Sequence, residues 1–282
     1  MGRTAKGKSA APAPRRKGAA RMADIPAATL AALNAGTEET VTLVEWLAID
    51  IRRLARAVAP EALGSTDAAQ ALIDEADRLA ASSVTVRSKG MGAAVRGALA
   101  RLPAAARRRA FERLAGHPSD MVRGWTTYSI GADRSLSLDD RLDAGRRFAA
   151  DRHMAVRECA WDAWRPYLAA DLERGLALLS SWVEDDDPSV RRCAIEGTRP
   201  RGVWTAHLDA LKADPTPAAS LLEACRSDAS EYVRKAVANW LNDASKSTPA
   251  WVKATCGRWS RESPTKETAW IVTRGLRTLR KR

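Results

Sequence analysis

Residues Ser189 to Trp204, Ser-Val-Arg-Arg-Cys-Ala-Ile-Glu-Gly-Thr-Arg-Pro-Arg-Gly-Val-Trp, gather one carboxylate, Glu196, four guanidinium groups, Arg191, Arg192, Arg199 and Arg201, and the indole of Trp204. Arginines neutralise phosphates, a lone carboxylate stabilises a developing cation, and an aromatic ring lies against a sugar or base. Together these make a kit for acting on DNA. The same letters also describe a repeat helix that turns Val190, Cys193 and Ala194 inward and its arginines to solvent. A second group lies in Ser230–Lys246. There Val233, Val237, Trp240 and Leu241 form an apolar face, while Asn239, Asn242, Asp243 and Lys246 fall together on another, with Arg234 and Lys235 adding positive charge. Amides, a carboxylate and an ammonium suit a sugar-phosphate edge or a water-holding site; capping a helix C-terminus is their other use.

Helices must position both groups. Glu196 falls at the fraying C-terminal end of a short helix that Gly197 and Pro200 stop, where the helix dipole opposes a negative charge and only the surrounding arginines offset it. Pairing with Arg192, one turn back, is the purely structural role for this carboxylate. Val122-Arg123, Val156-Arg157, Val190-Arg191 and Val233-Arg234 recur at intervals of 34, 34 and 43 residues, most after an acidic loop such as Asp185-Asp186-Asp187-Pro188. That period, with two helices per unit, marks HEAT-like repeats stacked into an all-α curved solenoid. Cys159, Cys193 and Ala236 each stand three positions after the valine and read as packing residues.

Upstream, Asp24 caps a short helix that closes at Gly36, and Thr37 caps a long one whose stripe Val44, Leu47, Ile51, Leu54 and Val58 ends at Pro60. A third helix covers Ser65 to Ala81. Gly90 and Gly92 predict a connector over Val84 to Gly92, with helices resuming over Ala94–Leu102 and Ala104–Ala115. Most tryptophans, Trp125, Trp161, Trp164, Trp182, Trp240, Trp251, Trp259 and Trp270, fall within helices and read as core, whereas Trp204 follows a Pro/Gly-containing loop and reads as ligand-facing.

Composition sets the outer limits. The 282 residues carry a formal net charge of +12, of which +7 comes from residues 1–21, a stretch with no acid and no apolar signal region. Residues 1–22 are expected to be a disordered basic tail and 23–282 a single repeat domain. Nucleic acid is the natural partner of such a chain, as a monomer, in the cytoplasm and on the nucleoid when bound to DNA, with no role at a membrane. The four cysteines never form a Cys-x-x-Cys pair, and the three histidines stand apart from other ligands. Neither a metal nor another cofactor is expected.

The stretches Val190–Trp204 and Ser230–Lys246, with Leu30–Gly36, Thr42–Asp50 and the closing Gly275-Leu-Arg-Thr-Leu, resemble the AlkC branch of the AlkD-like DNA alkylation-repair glycosylases. The resemblance runs in order from about residue 24 to the end. It implies a HEAT-like fold and removal of cationic N-alkylated purines such as 3-methyladenine from double-stranded DNA, without a metal and without a deep base pocket. It further implies Glu196 as the carboxylate at the sugar, Trp204 against the deoxyribose or base, Arg192 and Arg201 on phosphate, and Asp243 supporting the water or sugar. Two departures stand out. The family has an acid four positions before an Arg-Pro pair, but Trp161 holds that place before Arg165-Pro166, with Asp162 beside it and Glu158 one turn back as substitutes. Gly202-Val203 replaces the Leu-Pro expected before Trp204. The sequence leaves no room for the immunoglobulin-like domain that some relatives append. Loss of the acid keeps open a catalytically silent DNA-binding protein and, more remotely, a protein-binding scaffold.

Overall fold

A computed structural model of the chain describes residues 16–280, so most of the expected basic tail, residues 1–15, lies outside the described residues. Among the described residues every regular element is helical, sixteen α-helices and two short 3-10 turns. The first are α1 (Ala27–Ala35), α2 (Leu43–Ala48), α3 (Ile51–Leu63), α4 (Thr66–Leu79), α5 (Val84–Ala100) and α6 (Ala104–Ala115). Then come α7 (Asp120–Ala132), α8 (Leu138–Ala149), α9 (Met154–Ala170), α10 (Leu172–Leu179) and α11 (Pro188–Gly197). The last are α12 (Asp209–Ala213), α13 (Ala219–Ala224), α14 (Glu231–Ala244), α15 (Pro249–Glu262) and α16 (Lys266–Gly275). Helices α5, α7, α9, α11, α14 and α16 stack in that order as one row, and α6, α8, α10 and α15 pack against it. This is the all-α helical-repeat architecture that the recurring Val-Arg predicts.

The Val-Arg pair works differently from either expectation. Val122, Val156, Val190 and Val233 are buried, as an inward stripe requires. Their arginine neighbours turn back rather than outward. Arg123 donates to the carbonyls of His117 and Pro118, Arg157 to that of Asp151, Arg191 to those of Asp185 and Asp186, and Arg234 to those of Asp228 and Ala229. Arg123 and Arg191 also grip the acid of the following repeat's loop, Asp151 at 2.8 Å and Asp228 at 2.7 Å. Those acids accept the amides of His153 and Ser230 at the next helix starts, so each clasp ties two repeats together.

The N-terminal helices depart from the expected boundaries. Asp24 does not cap α1 but pairs with Arg21 at 2.8 Å. The single long helix from Thr37 is divided: Thr42 caps α2, buried Asn34 accepts the Asp50 amide at 2.8 Å, and the Asp50 carboxylate caps α3. Pro60 lies inside α3, near the end that Gly64 closes in the left-handed region. The connector over Val84–Gly92 is instead the first half of α5. Its glycines allow close approach: a Cβ on Gly92 would sit 2.2 Å from Tyr128 Cβ, and one on Gly90 2.7 Å from Leu79 Cδ1.

Arg16 to Ala19 lie against α2. Arg16 forks onto buried Glu45 at 2.6 and 3.0 Å, and Glu45 also accepts the amides of Ala19 and Val41. Burial alone would raise the Glu45 carboxyl; Arg16 and the two amides outweigh it and hold the group at about 2. A depressed acid stabilises the fold above its unfolded pKa, and this contribution fades as pH falls from the ordinary carboxylate range toward about 2. At neutral pH, Glu45→Ala is expected to release residues 16–24, cost roughly 2 kcal/mol and speed tryptic cleavage after Arg16 and Arg21. Unchanged cleavage would mean that the segment is held by other contacts.

Two apolar clusters fill the stack. One runs from Leu33 to Trp125, the other from Ala115 to Ile271. Between them α7 carries a buried polar run, Asp120, Arg123, Thr126, Thr127 and Ser129. Asp120 accepts the Thr40 amide at 3.0 Å and its hydroxyl at 2.8 Å, and Arg123 reaches both Asp151 and Glu39.

Candidate active site

Glu196 occupies the last turn of α11 with only 3% of its surface exposed, so the carboxylate expected at a fraying end is buried. The end is held firmly. Thr198 Oγ1 donates to the carbonyls of Ala194 and Ile195, and Gly197 sits so close to Trp164 that a Cβ there would meet Cη2 at 1.9 Å. Glu196 Oε2 accepts from Arg199 at 2.9 Å. Oε1 lies 3.1 Å from Arg192 Nη1, an ion-pair distance without hydrogen-bond alignment, and no hydrogen bond reaches this oxygen. It therefore keeps an unused acceptor capacity, although the atom itself is buried as the chain stands.

Arginines join Glu196 to two further carboxylates. Arg199 continues onto Asp243 with Nε at 2.9 Å and Nη2 at 2.7 Å, and Lys246 reaches Asp243 Oδ1 at 3.3 Å. Arg192 spans Glu196 and Glu158, the latter at 3.3 Å, while its guanidinium lies 4.2 Å from the Tyr232 ring centre. Burial works against charge on Arg192 and Arg199, but the carboxylates prevail and keep both above the usual arginine range. Burial and then the Glu196 charge raise the Glu158 carboxyl; Arg192 and the Trp161 N–H oppose them.

The loop from Thr198 to Leu208 supplies the aromatic side. Buried Arg165 on α9 supports its base, donating to the carbonyls of Gly197 and Arg199, each at 2.7 Å, and of Ala206 at 3.1 and 3.2 Å. Burial pulls this guanidinium down to about 10. The Leu208 amide donates to Pro200, and Arg201 reaches Ser247 Oγ at 2.6 Å. At the tip, Trp204 remains 53% exposed and stacks on Trp161 with ring centres 6.2 Å apart and planes 26° apart. Trp161 Nε1 donates to Glu158 Oε2 at 3.0 Å. Glu158, Trp161, Arg192, Glu196, Trp204 and Asn239 thus line one cavity of about 260 Å³.

The other expected site residues divide. Of the two substitutes for the missing acid, Glu158 faces the cavity. Asp162 is buried elsewhere, accepting from Tyr128 Oη at 2.8 Å and paired with Lys89 at 3.1 Å. Asp243 is reached through Arg199. Arg191 is occupied by Asp228, and Arg234 by carbonyls and the Trp270 face. Lys235 pairs with Glu231 at 2.9 Å, and Asn242 Oδ1 accepts from Thr278. Asn239 Oδ1 accepts from Arg277 at 3.1 Å. Sequence reasoning missed Arg165 and Tyr232; its reading of Trp161 as core agrees with that ring's burial, though one edge also lines the cavity, and the Arg165-Pro166 pair was the available signal. Among the described residues no cluster of His, Cys, Asp and Glu is arranged to hold a metal ion, and no helix is long and apolar enough to cross a membrane.

Residues 149–258 match the family model described as DNA alkylation repair enzyme. A stretch of 120 residues is 43% identical to the uncharacterized protein YhaZ of Bacillus subtilis, covering 43% of this chain and 33% of that protein. The fold is similar to Pseudomonas fluorescens AlkC, an alkylpurine DNA glycosylase solved bound to DNA containing an abasic site analog, with a TM-score of 0.65 and 28% identity over 82% of this chain and 62% of that one. It also resembles AlkD2 from Streptococcus mutans, with a TM-score of 0.51 and 23% identity over 64% of this chain and 87% of that one, a likeness of fold. The chain spans only part of the first two relatives, a third of YhaZ and under two thirds of AlkC. Every residue lining the cavity falls within the matched stretch 149–258. By that stretch and by the fold that carries it, the chain is similar to the AlkC/AlkD-like proteins of DNA alkylation repair.

Proposed function

We propose that the protein is a DNA glycosylase that removes cationic N-alkylated purines, such as 3-methyladenine, from duplex DNA. The observation that carries this reading is the buried Glu196 carboxylate, whose Oε1 accepts no hydrogen bond, facing a cavity edged by an exposed indole. Alkylation places positive charge on the base, so the base departs without being protonated and the reaction calls for no metal. What must be stabilised is an oxocarbenium-like sugar, and what must be aimed is a water. A carboxylate with a spare acceptor oxygen serves both. Arg199 and Arg192 fix the orientation of Glu196, and Asp243 acts through Arg199 by holding that guanidinium in place. Trp204 offers its free face to the sugar or base, and Arg201 and Lys246 are the cations at the edge best placed for phosphate.

Chromatography of bases freed from methylated duplex, with enzyme and without, tests the reading. Release of alkylpurines supports it. Salt-sensitive duplex binding with no release would favour a silent DNA-binding member, the reading that Trp161 in place of an acid keeps alive. Cations differ in what they have to offer. Arg192 is committed between two carboxylates and a tyrosine face, whereas Arg201 lies at the open side. Arg201→Ala is expected to weaken duplex binding and reduce the slope of log affinity against log salt by roughly one unit. An unchanged slope would remove Arg201 from the phosphate contacts.

A further inference from the structure

Four cations, Arg199, Arg201, Lys246 and Arg277, gather where α14 ends, and the carboxylates there do not balance them. Arg199 bonds to the Asp243 carboxylate at Oδ2, Lys246 reaches its Oδ1 at 3.3 Å, and Arg201 meets the Asp243 carbonyl at 3.3 Å. Arg277 comes from the turn after α16. It donates to Asn239 Oδ1 at 3.1 Å, on the cavity, and to the Arg274 carbonyl at 2.9 Å. That turn is pinned to α14. Buried Asn242 accepts the amide and hydroxyl of Thr278, and a Cβ on Gly275 would sit 3.0 Å from Leu241 Cβ. Among the described residues two carboxylates, Asp243 and Glu196, pair with these four cations, and Arg199 bonds to both. Arg201 and Arg277 rest on neutral acceptors instead, a hydroxyl, an amide and two carbonyls. The carbonyl end of α14 supplies about half a negative charge, too little for the surplus. Partial burial and the Arg199 charge push the Arg277 guanidinium below the usual arginine range, with Asp243 opposing them.

We infer that Arg201, Lys246 and Arg277 form a seat for one backbone phosphate of the damaged strand, which Arg277 closes from the α16 side. The inference rests on the proposed function and specifies how that site grips its substrate. Each of the three has hydrogens to give. Arg201 Nη1 and Arg277 Nε donate to nothing among the described residues, and Lys246 spends one of its three hydrogens. Phosphate oxygens accept from such donors in short, strong, charge-assisted bonds. Arg199 ties the seat to the chemistry, since one guanidinium bonds to both Asp243 and Glu196. The phosphate seated there therefore belongs to the nucleotide whose sugar faces Glu196, or to its immediate neighbour. Phosphate contacts fix the register of a duplex without reading its bases. Holding the strand by its backbone aims the sugar at the carboxylate and asks for no pocket around the base.

Neutralising phosphates one at a time tests the seat. Duplexes with one abasic-site analogue, each carrying a single methylphosphonate at a different position around it, are titrated with the full chain at fixed salt. One position flanking the analogue is expected to cost the wild type about tenfold in affinity. In Arg277→Ala the same methylphosphonate should cost at most a few-fold, because the partner of that charge is already gone. Arg201→Ala should silence the same position, and Arg277→Lys should restore part of the penalty, since an ammonium still meets a phosphate. Costs that stay the same at every position in Arg277→Ala, as a purely structural arginine would give, overturn the seat. So does silencing of different positions by Arg201→Ala and Arg277→Ala. Base release from methylated duplex, measured in parallel, separates the seat from the proposed function. Release with unchanged costs removes only the seat, whereas a position-specific loss without release keeps the seat and removes the glycosylase.

Discussion

Glu196→Gln is expected to reduce base release from methylated duplex by about 10²–10³-fold or more, while duplex affinity stays within a few-fold. The substitution keeps shape and removes the charge that faces the sugar cation. It also takes one anion from the cluster, but Arg199 keeps Asp243 at 2.7 Å and Arg192 keeps Glu158 at 3.3 Å, so neither guanidinium is left buried alone. The fold should therefore survive, and thermal unfolding of the variant serves as the control. Parallel loss of release and binding would identify Glu196 as an organiser of the interface. Unchanged release would move the chemistry to Glu158, the other carboxylate on the cavity.

The largest effect on stability is expected from Arg165→Ala. Arg165 is 2% exposed and sends four hydrogen bonds to carbonyls of Gly197, Arg199 and Ala206, spanning the whole base of the Trp204 loop. Truncation leaves those acceptors, the Gly197 carbonyl among them buried, without these donors and opens a void beneath α11. A cost of about 3 kcal/mol follows, or a fall in Tm of about 5 °C for a chain of this size. Base release should fall as well, because Glu196 and Trp204 both stand on the supported segment. Arg165→Lys would recover little, since one ammonium cannot reproduce a fork of donors aimed at three carbonyls. A variant that melts like the parent would show that the loop is held by Leu208, Arg201 and packing alone.

The fold was legible because the chain writes its period in residues that cannot be exchanged freely. Val at the inner stripe and Asp before the helix start both recur, and stacking repeats leave no other use for them. The partner of the arginine was not legible, since a charged side chain beside a buried valine looks solvent-facing until the next loop is placed against it. Helix boundaries went astray where a distant side chain decides them: Asn34 cuts the helix before Asp50, and Tyr128 receives the face of Gly92. In the site, Glu196, Trp204 and Glu158 were readable from spacing and resemblance. Asp162 and Glu158 were indistinguishable in one dimension, since residues four apart share a helix face with only small angular differences; the Tyr128 hydroxyl and Lys89 take one, and the cavity receives the other. Arg191 and Arg234 looked as available as Arg201 because the clasp that consumes them is a tertiary contact.

The polar run on α7 divides the chain's cooperativity. Apolar contacts couple each cluster internally, and between them Asp120, Arg123 and their partners Thr40, Glu39 and Asp151 add charge-assisted contacts to the packing of Phe111 and of α7 on α9. Charge-assisted contacts are directional and short-ranged, so they transmit order only while their geometry holds. Because the first cluster includes Met121, Val122 and Trp125, α7 belongs with α1 to α6 as one packed unit, and amides in that unit are expected to exchange ahead of those in α9, α11 and α14 if it opens sub-globally. The cavity lies entirely on the later-opening side, which lets that unit breathe without disturbing Glu196.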